Sequence, residues 1–159
     1  MSTHAGKPVR LSQAEMTELV LPNDANMLGN ILGGKVMHLV DLCGAIAACR
    51  HSGTVAVTAS VDHMDFRYPI LVGQLVVLKA SVNRAFKTSM EVGVKVYSEN
   101  MLSGERRHTS TAYLTFVALD DNGQRVPVPP VVPETADEQR RYEAAATRRA
   151  YRLRQRAAQ

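Results

Sequence analysis

The chain has 159 residues, 45% of them hydrophobic and 21% charged, with a formal net charge of +4. That length suits one domain with a real core better than two small ones, and the hydrophobic share argues against general disorder. No apolar run reaches the roughly 20 residues a membrane-spanning helix needs. The opening MSTHAGKPVRLSQAEM has no apolar block after its basic residues, so no secretory signal is expected. Cys43 and Cys49 fall in one apolar segment and read as two buried thiols, which makes a reducing cytoplasm the default location. Much of the positive excess lies in RRYEAAATRRAYRLRQR, residues 140–156. Such a cluster attracts nucleic acid, an anionic membrane or a phosphorylated small molecule, and composition does not choose among them.

In chain order, Met16 to Leu21 reads as a short strand ending at Pro22, followed by NDANMLGNILGG, a loop rich in Asn and Gly. From Lys35 to about Cys49 the pattern is helical and apolar almost all round, which predicts a buried helix. After Gly53 the period becomes two, with Val55, Val57, Ala59 and Val61 expected on one face of a strand. LVVLKASVNRA, SMEVGVKVYS and RRHTSTAYLTFVALD follow as strands. The second alternates Met90, Val92, Val94 and Val96 against Glu91, Lys95 and Tyr97, with Lys95 on the solvent side. DDNGQ is a turn. VPVPPVVP cannot continue a sheet interior, because its prolines lack donors, and it reads as an extended strap. Thr135 and Glu138 have capping-box spacing ahead of a last helix with an acidic start and a basic end. That helix is expected on the surface, with Tyr142, Ala146, Arg149 and Leu153 turned toward an oligomer. Strand, buried helix, four antiparallel strands, strap and surface helix together predict an α+β layer architecture.

The chemistry concentrates in residues 22–41. A helix starting near Gly33-Gly34 offers unpaired N–H groups and the positive end of its dipole, with no side chain to keep a ligand off the backbone. Such an end can polarise a carbonyl oxygen. Asp41, two turns on, is an acid on an apolar helix, placed to act as general base or nucleophile. It reads equally well as a buried carboxylate satisfied by backbone groups or bridging a dimer. Asn26 adds an amide that orients water or a carbonyl, or simply caps its loop. His38, His51, His63 and His108 fit structural roles. No paired cysteines or His-x-x-x-His spacing suggests a metal, and there is no P-loop, GxGxxG or GxSxG.

LPNDANMLGNILGGKVMHLVDLCGAIAACRHSG resembles the opening of hotdog-fold acyl-CoA thioesterases of the acyl-CoA hydrolase branch. The resemblance continues through VTASVDHMDFRYPILVGQLVVLKASV, KTSMEVGVKV and FVALDDNGQRVPVPP, over roughly residues 12–133. It implies a hotdog fold: a long central helix wrapped by a curved antiparallel sheet, with residues 1–133 as a single acyl-CoA hydrolase domain and 134–159 as a C-terminal basic helix. It implies hydrolysis of fatty acyl-CoA to free acid and CoA in the cytoplasm, with no metal and no cofactor beyond the CoA of the substrate. Two subunits would pair edge to edge, and dimers would assemble into a homohexamer, a trimer of dimers. Asn26 and Asp41, from opposite subunits, match the family's active-site pair, and Gly34 beside Gly33 matches the helix start that polarises the thioester. Phe66 would wall the pantetheine slot, while Arg67, Lys87, Thr88 and Ser89 would meet CoA phosphates.

The rival readings are a non-hydrolytic CoA-ligand protein on the same fold and a binder of nucleic acid or membrane through the arginine helix. Against nucleic acid, the basic cluster lacks interleaved stacking aromatics beyond Tyr142 and Tyr151. Against a membrane surface, alanines and one leucine make a narrow apolar face.

Overall fold

The computed structural model describes residues 5–159. Lys7–Pro8 (β1) pairs in parallel with Val131–Val132 (β7). Ala14–Leu19 (β2), Val55–Val61 (β3), Leu75–Ala85 (β4), Ser89–Glu99 (β5) and Arg106–Leu119 (β6) form an antiparallel sheet ordered β2-β4-β5-β6-β3. Gly33–Ser52 is α1 and Ala136–Ala157 is α2. The α+β architecture is that of the hotdog fold, as expected.

The alternation in β4, β5 and β6 determines the core. Val76, Leu78, Ala80 and Val82, then Met90, Val92, Val94 and Val96, then Ala112, Leu114, Phe116 and Ala118 all point inward and are buried. They enclose Val36, Leu39, Val40, Cys43, Ala47 and Ala48 of α1. Area burial on this scale is the dominant stabilising term. Burial also pushes the Cys43 thiol up to about 11, while Cys49 is only half-buried, not enclosed as expected.

Boundaries moved for identifiable reasons. β2 starts two residues earlier than the hydrophobic pattern suggested and ends at Leu19, opposite Leu75 where its partner β4 begins. The helix α1 extends beyond Lys35–Cys49 at both ends, and Gly53 closes it in the left-handed conformation, φ 70°, with its N–H on Cys49 O. In β3 a bulge between Thr58 and Ser60 breaks the expected face. Val55 and Val57 lie on the outer side with Ser60, while Thr58 and Val61 turn inward opposite Phe116 and Leu114. The strap stays out of the main sheet, and two of its residues form β7, which pairs with β1 in a separate two-stranded sheet.

Two further expectations are corrected. The central helix is not buried all round: Gly34, Met37, His38, Leu42 and Ile46 are exposed, with Asp41 and Ala45 half-buried between them. These positions recur every three or four residues, so they form one open stripe; the protomer's own sheet covers only the other side. The C-terminal helix is not merely solvated. Its Ala145 is fully buried, and Arg148 grips the buried Glu91 carboxylate through Nε (3.0 Å) and Nη2 (2.7 Å). Arg152 reaches both Glu91 (3.1 Å) and Asp62 (2.8 Å). Guanidinium–ring stacking reinforces the docking in both directions, Arg84 over Tyr142 at 4.0 Å and Arg148 over Tyr113 at 3.7 Å. Burial by itself raises Glu91, but hydrogen bonds from Arg148 and Asn83 and the charges of Arg148 and Arg152 outweigh it and hold the carboxyl below the usual range. Thr135 caps the helix as spaced, its Oγ1 accepting from the Glu138 N–H at 3.1 Å, but the reciprocal half of the box does not form: Glu138 accepts from the N–H of Glu134 (3.2 Å) and the hydroxyl of Thr135 (3.0 Å) rather than from the Thr135 N–H.

Candidate active site

The Asn-rich loop is a tight turn built around one side chain. Asn26 Oδ1 accepts from the N–H of Leu28 (2.9 Å) and of Asn30 (3.1 Å), and the turn closes through Gly29, whose φ is +79°. Only an oxygen accepts from two N–H donors, so the amide orientation is determined. Oδ1 is consumed by the loop, and Nδ2 remains a donor. Capping and a chemical role are therefore compatible in the same residue.

Asn26 lines a cavity of about 390 Å³ together with Gly33, Val36, Phe66, Arg67 and Thr109. The Phe66 ring lies over Gly33, its Cε2 and Cζ each 3.5 Å from where a Cβ would stand. Leu32 caps α1 without a side-chain hydrogen bond, and the first N–H groups to return to Leu32 O are those of Lys35 and Val36. The amides of Gly33 and Gly34 are left as donors at the positive end of the helix. Gly34 faces open space, with no atom within 4 Å of a Cβ position.

Asp41 stands outside this cavity. Eight residues past Gly33, it lies about 12 Å along the helix at ~1.5 Å per residue. Its Oδ1 accepts the hydroxyl of Thr58 at 2.5 Å, and it sits in the open stripe of α1 beside Met37, His38 and Leu42. Within one protomer the structure thus brings together Asn26, Gly33, Phe66 and Arg67, and leaves Asp41 apart.

Thr88 and Ser89 are elsewhere again, in a cavity of about 180 Å³ below α2. Lys87 is exposed at the β4–β5 turn and lines none of these cavities; its carbonyl accepts from the Val128 N–H at 3.0 Å. Lys95 is exposed on the outer sheet face, opposite Lys79, in a cavity of about 490 Å³ that holds none of the residues expected in catalysis. Among the described histidines His51 alone is buried, with Nε2 2.7 Å from Pro129 O, while exposed His63 and His108 meet Asp65 and Thr111 and His38 stands in the open stripe of α1. Thr58 escaped the sequence reading, since a lone threonine in an alternating apolar strand gives no signal until the face of Ala56 and Thr58, and not that of Val55 and Val57, is seen to turn toward α1. No group of three or more His, Cys, Asp or Glu side chains among the described residues is placed to hold a metal ion. No helix there is long and apolar enough to cross a membrane.

A long helix cradled by five antiparallel strands, with an uncapped helix start that shares a cavity with Asn26 and an acid on its open face, defines a hotdog-fold protein. Residues 28–105 match the thioesterase superfamily. The chain is 44% identical over 138 residues, 87% of its length and 80% of the relative's, to an uncharacterized acyl-CoA thioester hydrolase, YkhA, of Bacillus subtilis. An apo-hexameric acyl-CoA thioesterase superposes with TM-score 0.94 at 42% identity, over 98% of this chain and 99% of that one. An acyl-CoA hydrolase of Staphylococcus aureus in complex with butyryl coenzyme A, coenzyme A and coenzyme A disulfide superposes with TM-score 0.90 at 36% identity, over 96% and 93% of the two chains. That enzyme has also been solved with an aspartate, an asparagine or a threonine replaced by alanine. The chain belongs to the thioesterase superfamily and, within it, to the acyl-CoA thioester hydrolases.

Proposed function

We propose that the protein hydrolyses acyl-CoA to a free acid and CoA, at a site built from Asn26 of one subunit and the partner subunit's Asp41. The observation that carries this reading is the split itself. A donor set waits at the helix start, while the acid held by Thr58 lies two turns away on an apolar stripe that the protomer leaves uncovered. Exposed contiguous apolar surface and an unpaired edge strand both call for a partner. The stripe of α1 and the outer residues of β3, Val55 and Val57, supply them on adjoining elements. The aspartate, asparagine and threonine replaced in the S. aureus enzyme have the same mutual spacing as Asp41, Asn26 and Thr58, which supports all three.

The thioester carbonyl enters the cavity against Asn26 Nδ2 and the Gly33 amide, with Gly34 adding the next dipole of the helix start. Phe66 and Arg67 line the entry. The acid, with Oδ1 held by Thr58, takes a proton from water through Oδ2 as the water oxygen attacks the carbonyl carbon. The oxyanion is met by the amide donors, which act where charge develops. Collapse breaks the C–S bond, and the thiolate of CoA recovers the proton from the acid. No cofactor enters beyond the CoA that the substrate carries. Hexameric assembly, a reducing cytoplasm, and the division into a hydrolase domain (1–133) and a C-terminal helix (134–159) belong to the same reading.

The test is thiol release across acyl-CoAs from acetyl to palmitoyl, with wild type beside Asp41→Ala. Release that disappears in a folded, assembled Asp41→Ala protein supports the assignment, and the chain-length profile measures the acyl pocket. Full activity in that variant overturns it.

A further inference from the structure

Among the arginines of α2, one contact leads away from the helix's own docking and back to the candidate active site. Arg149 and Arg156 line the cavity below α2 with the hydroxyls of Ser60, Thr88, Ser89 and Thr115, and Arg148 binds Glu91. Arg152 reaches further. Its Nη1 donates to Glu91 Oε2 at 3.1 Å and to Asp62 Oδ2 at 2.8 Å. Asp62 follows directly on β3 and opens the connection to β4 that carries Phe66.

That connection is tied at two points and free between them. The Asp62 N–H donates to Tyr113 O at 2.9 Å, and the Arg67 N–H donates to Thr109 O at 3.3 Å, beside Tyr68, whose ring lies 3.5 Å under the Arg107 guanidinium. No hydrogen bond among the described residues ties positions 63–66 to another element; His63 meets Asp65 within the segment, at 2.9 Å. Phe66 belongs to this untied stretch, yet its ring lies over Gly33 at the entry of the cavity. Four residues of chain span at most about 14 Å, so the position of Asp62 limits that of the ring. A half-exposed ion pair by itself holds little, because ordering two mobile side chains offsets the attraction. Here the Arg152 and Asp62 side chains keep only 18% and 23% of their exposure, and the fully buried Glu91 has already fixed the guanidinium. A carboxylate inside the sheet thus passes its position through one guanidinium to the start of the entry segment.

We infer that Arg152 is a positioning residue for substrate binding: through Asp62 it holds the segment that keeps the Phe66 ring over Gly33. The C-terminal helix, which contributes no residue to the Asn26 cavity, thereby sets the affinity of that cavity for its substrate. The inference rests on the acyl-CoA reading of the site.

The test compares the full-length wild type with four variants, each checked by thermal melting and assembly. Asp62→Asn cuts the link and leaves Glu91 with both its arginines; Arg152→Gln and Arg152→Lys alter its other end. Arg148→Gln weakens the docking of α2 and leaves the link. With butyryl-CoA, KM should rise about tenfold in Asp62→Asn and Arg152→Gln while kcat stays nearly constant, with Arg152→Lys between; that is the pattern of lost binding common to ground and transition state. Arg148→Gln should melt lower and keep the wild-type KM. The hydrogen-bonded amides of Asp62 and Arg67 should exchange faster in Arg152→Gln. Asp62→Asn added to Phe66→Ala should change KM by less than about twofold, because the link acts through that ring. A KM unchanged in Asp62→Asn, exchange unchanged in Arg152→Gln, or additive effects with Phe66→Ala would each overturn the inference. A KM that rises in Arg148→Gln as much as in Asp62→Asn would overturn it too, leaving α2 a purely structural element. If wild type releases no thiol, the proposed activity fails instead, and calorimetric affinity for CoA replaces KM in the same comparison. Equal CoA affinity in wild type and Asp62→Asn, or no CoA binding at all, then overturns the positioning role.

Discussion

Thr58 donates its hydroxyl to Asp41 Oδ1 at 2.5 Å, tying the edge strand to the central helix. The contact exists because Thr58 alternates with Val57 onto the inward face of β3, opposite Phe116, just ahead of the bulge. It holds the carboxylate and leaves Oδ2 available. Replacing Thr58 with Val removes the donor at nearly constant volume, and a hydrogen bond to a charged group contributes about 1.5–3 kcal/mol. We expect kcat to fall by about tenfold or more with little change in KM, and Thr58→Ser to restore most of it. Equal losses in Val and Ser variants would indicate a packing role instead.

Asn26 holds its turn with Oδ1 and presents Nδ2 to the cavity. Asn26→Asp separates the two jobs, because both carboxylate oxygens accept the N–H groups of Leu28 and Asn30 while the Nδ2 donor disappears. The variant should fold and melt like wild type and lose thiol release by about a hundredfold or more, the usual effect of removing one oxyanion donor. Retained activity would assign Asn26 to the loop alone.

Glu91 anchors α2 from inside the sheet. Glu91→Ala leaves Arg148 and Arg152 without their shared carboxylate, and breaking a buried pair in this way costs about 3–5 kcal/mol. The lower end is expected, since the Arg148 side chain keeps 25% of its exposure and water compensates it in part. Urea unfolding measures the loss, and limited proteolysis reports whether α2 detaches first. Because the folded carboxyl is held below its ordinary value, its contribution is complete above the unfolded pKa of ~4.3 and is lost as pH falls through the lower folded value. Wild type should therefore lose stability on acidification in a range where Glu91→Gln changes less.

His51 gives a second, milder pH dependence. Burial lowers its pKa; the hydrogen bond to Pro129 O opposes this, and the charge of Lys7 adds to it. A depressed histidine stabilises the fold while neutral, so stability is fully present above the unfolded value of ~6.5 and declines as pH falls below it toward the folded value. The melting temperature of wild type should drop between pH 7.5 and 5 more steeply than that of His51→Gln. Parallel curves would show that the ring does not titrate with unfolding.

Much of the scaffold was legible because period carries it. The two-residue alternation holds from Val76 to Val82 in β4 and from Met90 to Val96 in β5, up to a register shift at the end of each run, and the Met90-to-Val96 row is buried as read. The Thr135 cap on the Glu138 N–H needs only local geometry. Asn26 and Gly33 were legible together because a Gly-Gly helix start beside an Asn turn is a short-range arrangement, whereas Phe66, 33 residues beyond Gly33, entered only through the family resemblance. Thr58 was not, because the alternation of β3 does not by itself say which of its two faces meets α1. The partners of Arg148 and Arg152 were not legible either, since Glu91 alternates like a surface residue and is buried only by a helix 57 residues later.

By itself, the sequence determined which segments are strands and helices, where the apolar faces run, and that one acid stands on an otherwise apolar helix. These follow from propensity, periodicity and capping, which act over a few residues. Only the tertiary structure decided that one stripe of that helix stays open, that Asp41 meets Thr58 outside the cavity that Asn26 lines, and that α2 turns some arginines into a clamp and leaves others around a hydroxyl-floored cavity. Those are long-range pairings, set by which faces the sheet buries as it curls, and no local pattern encodes them.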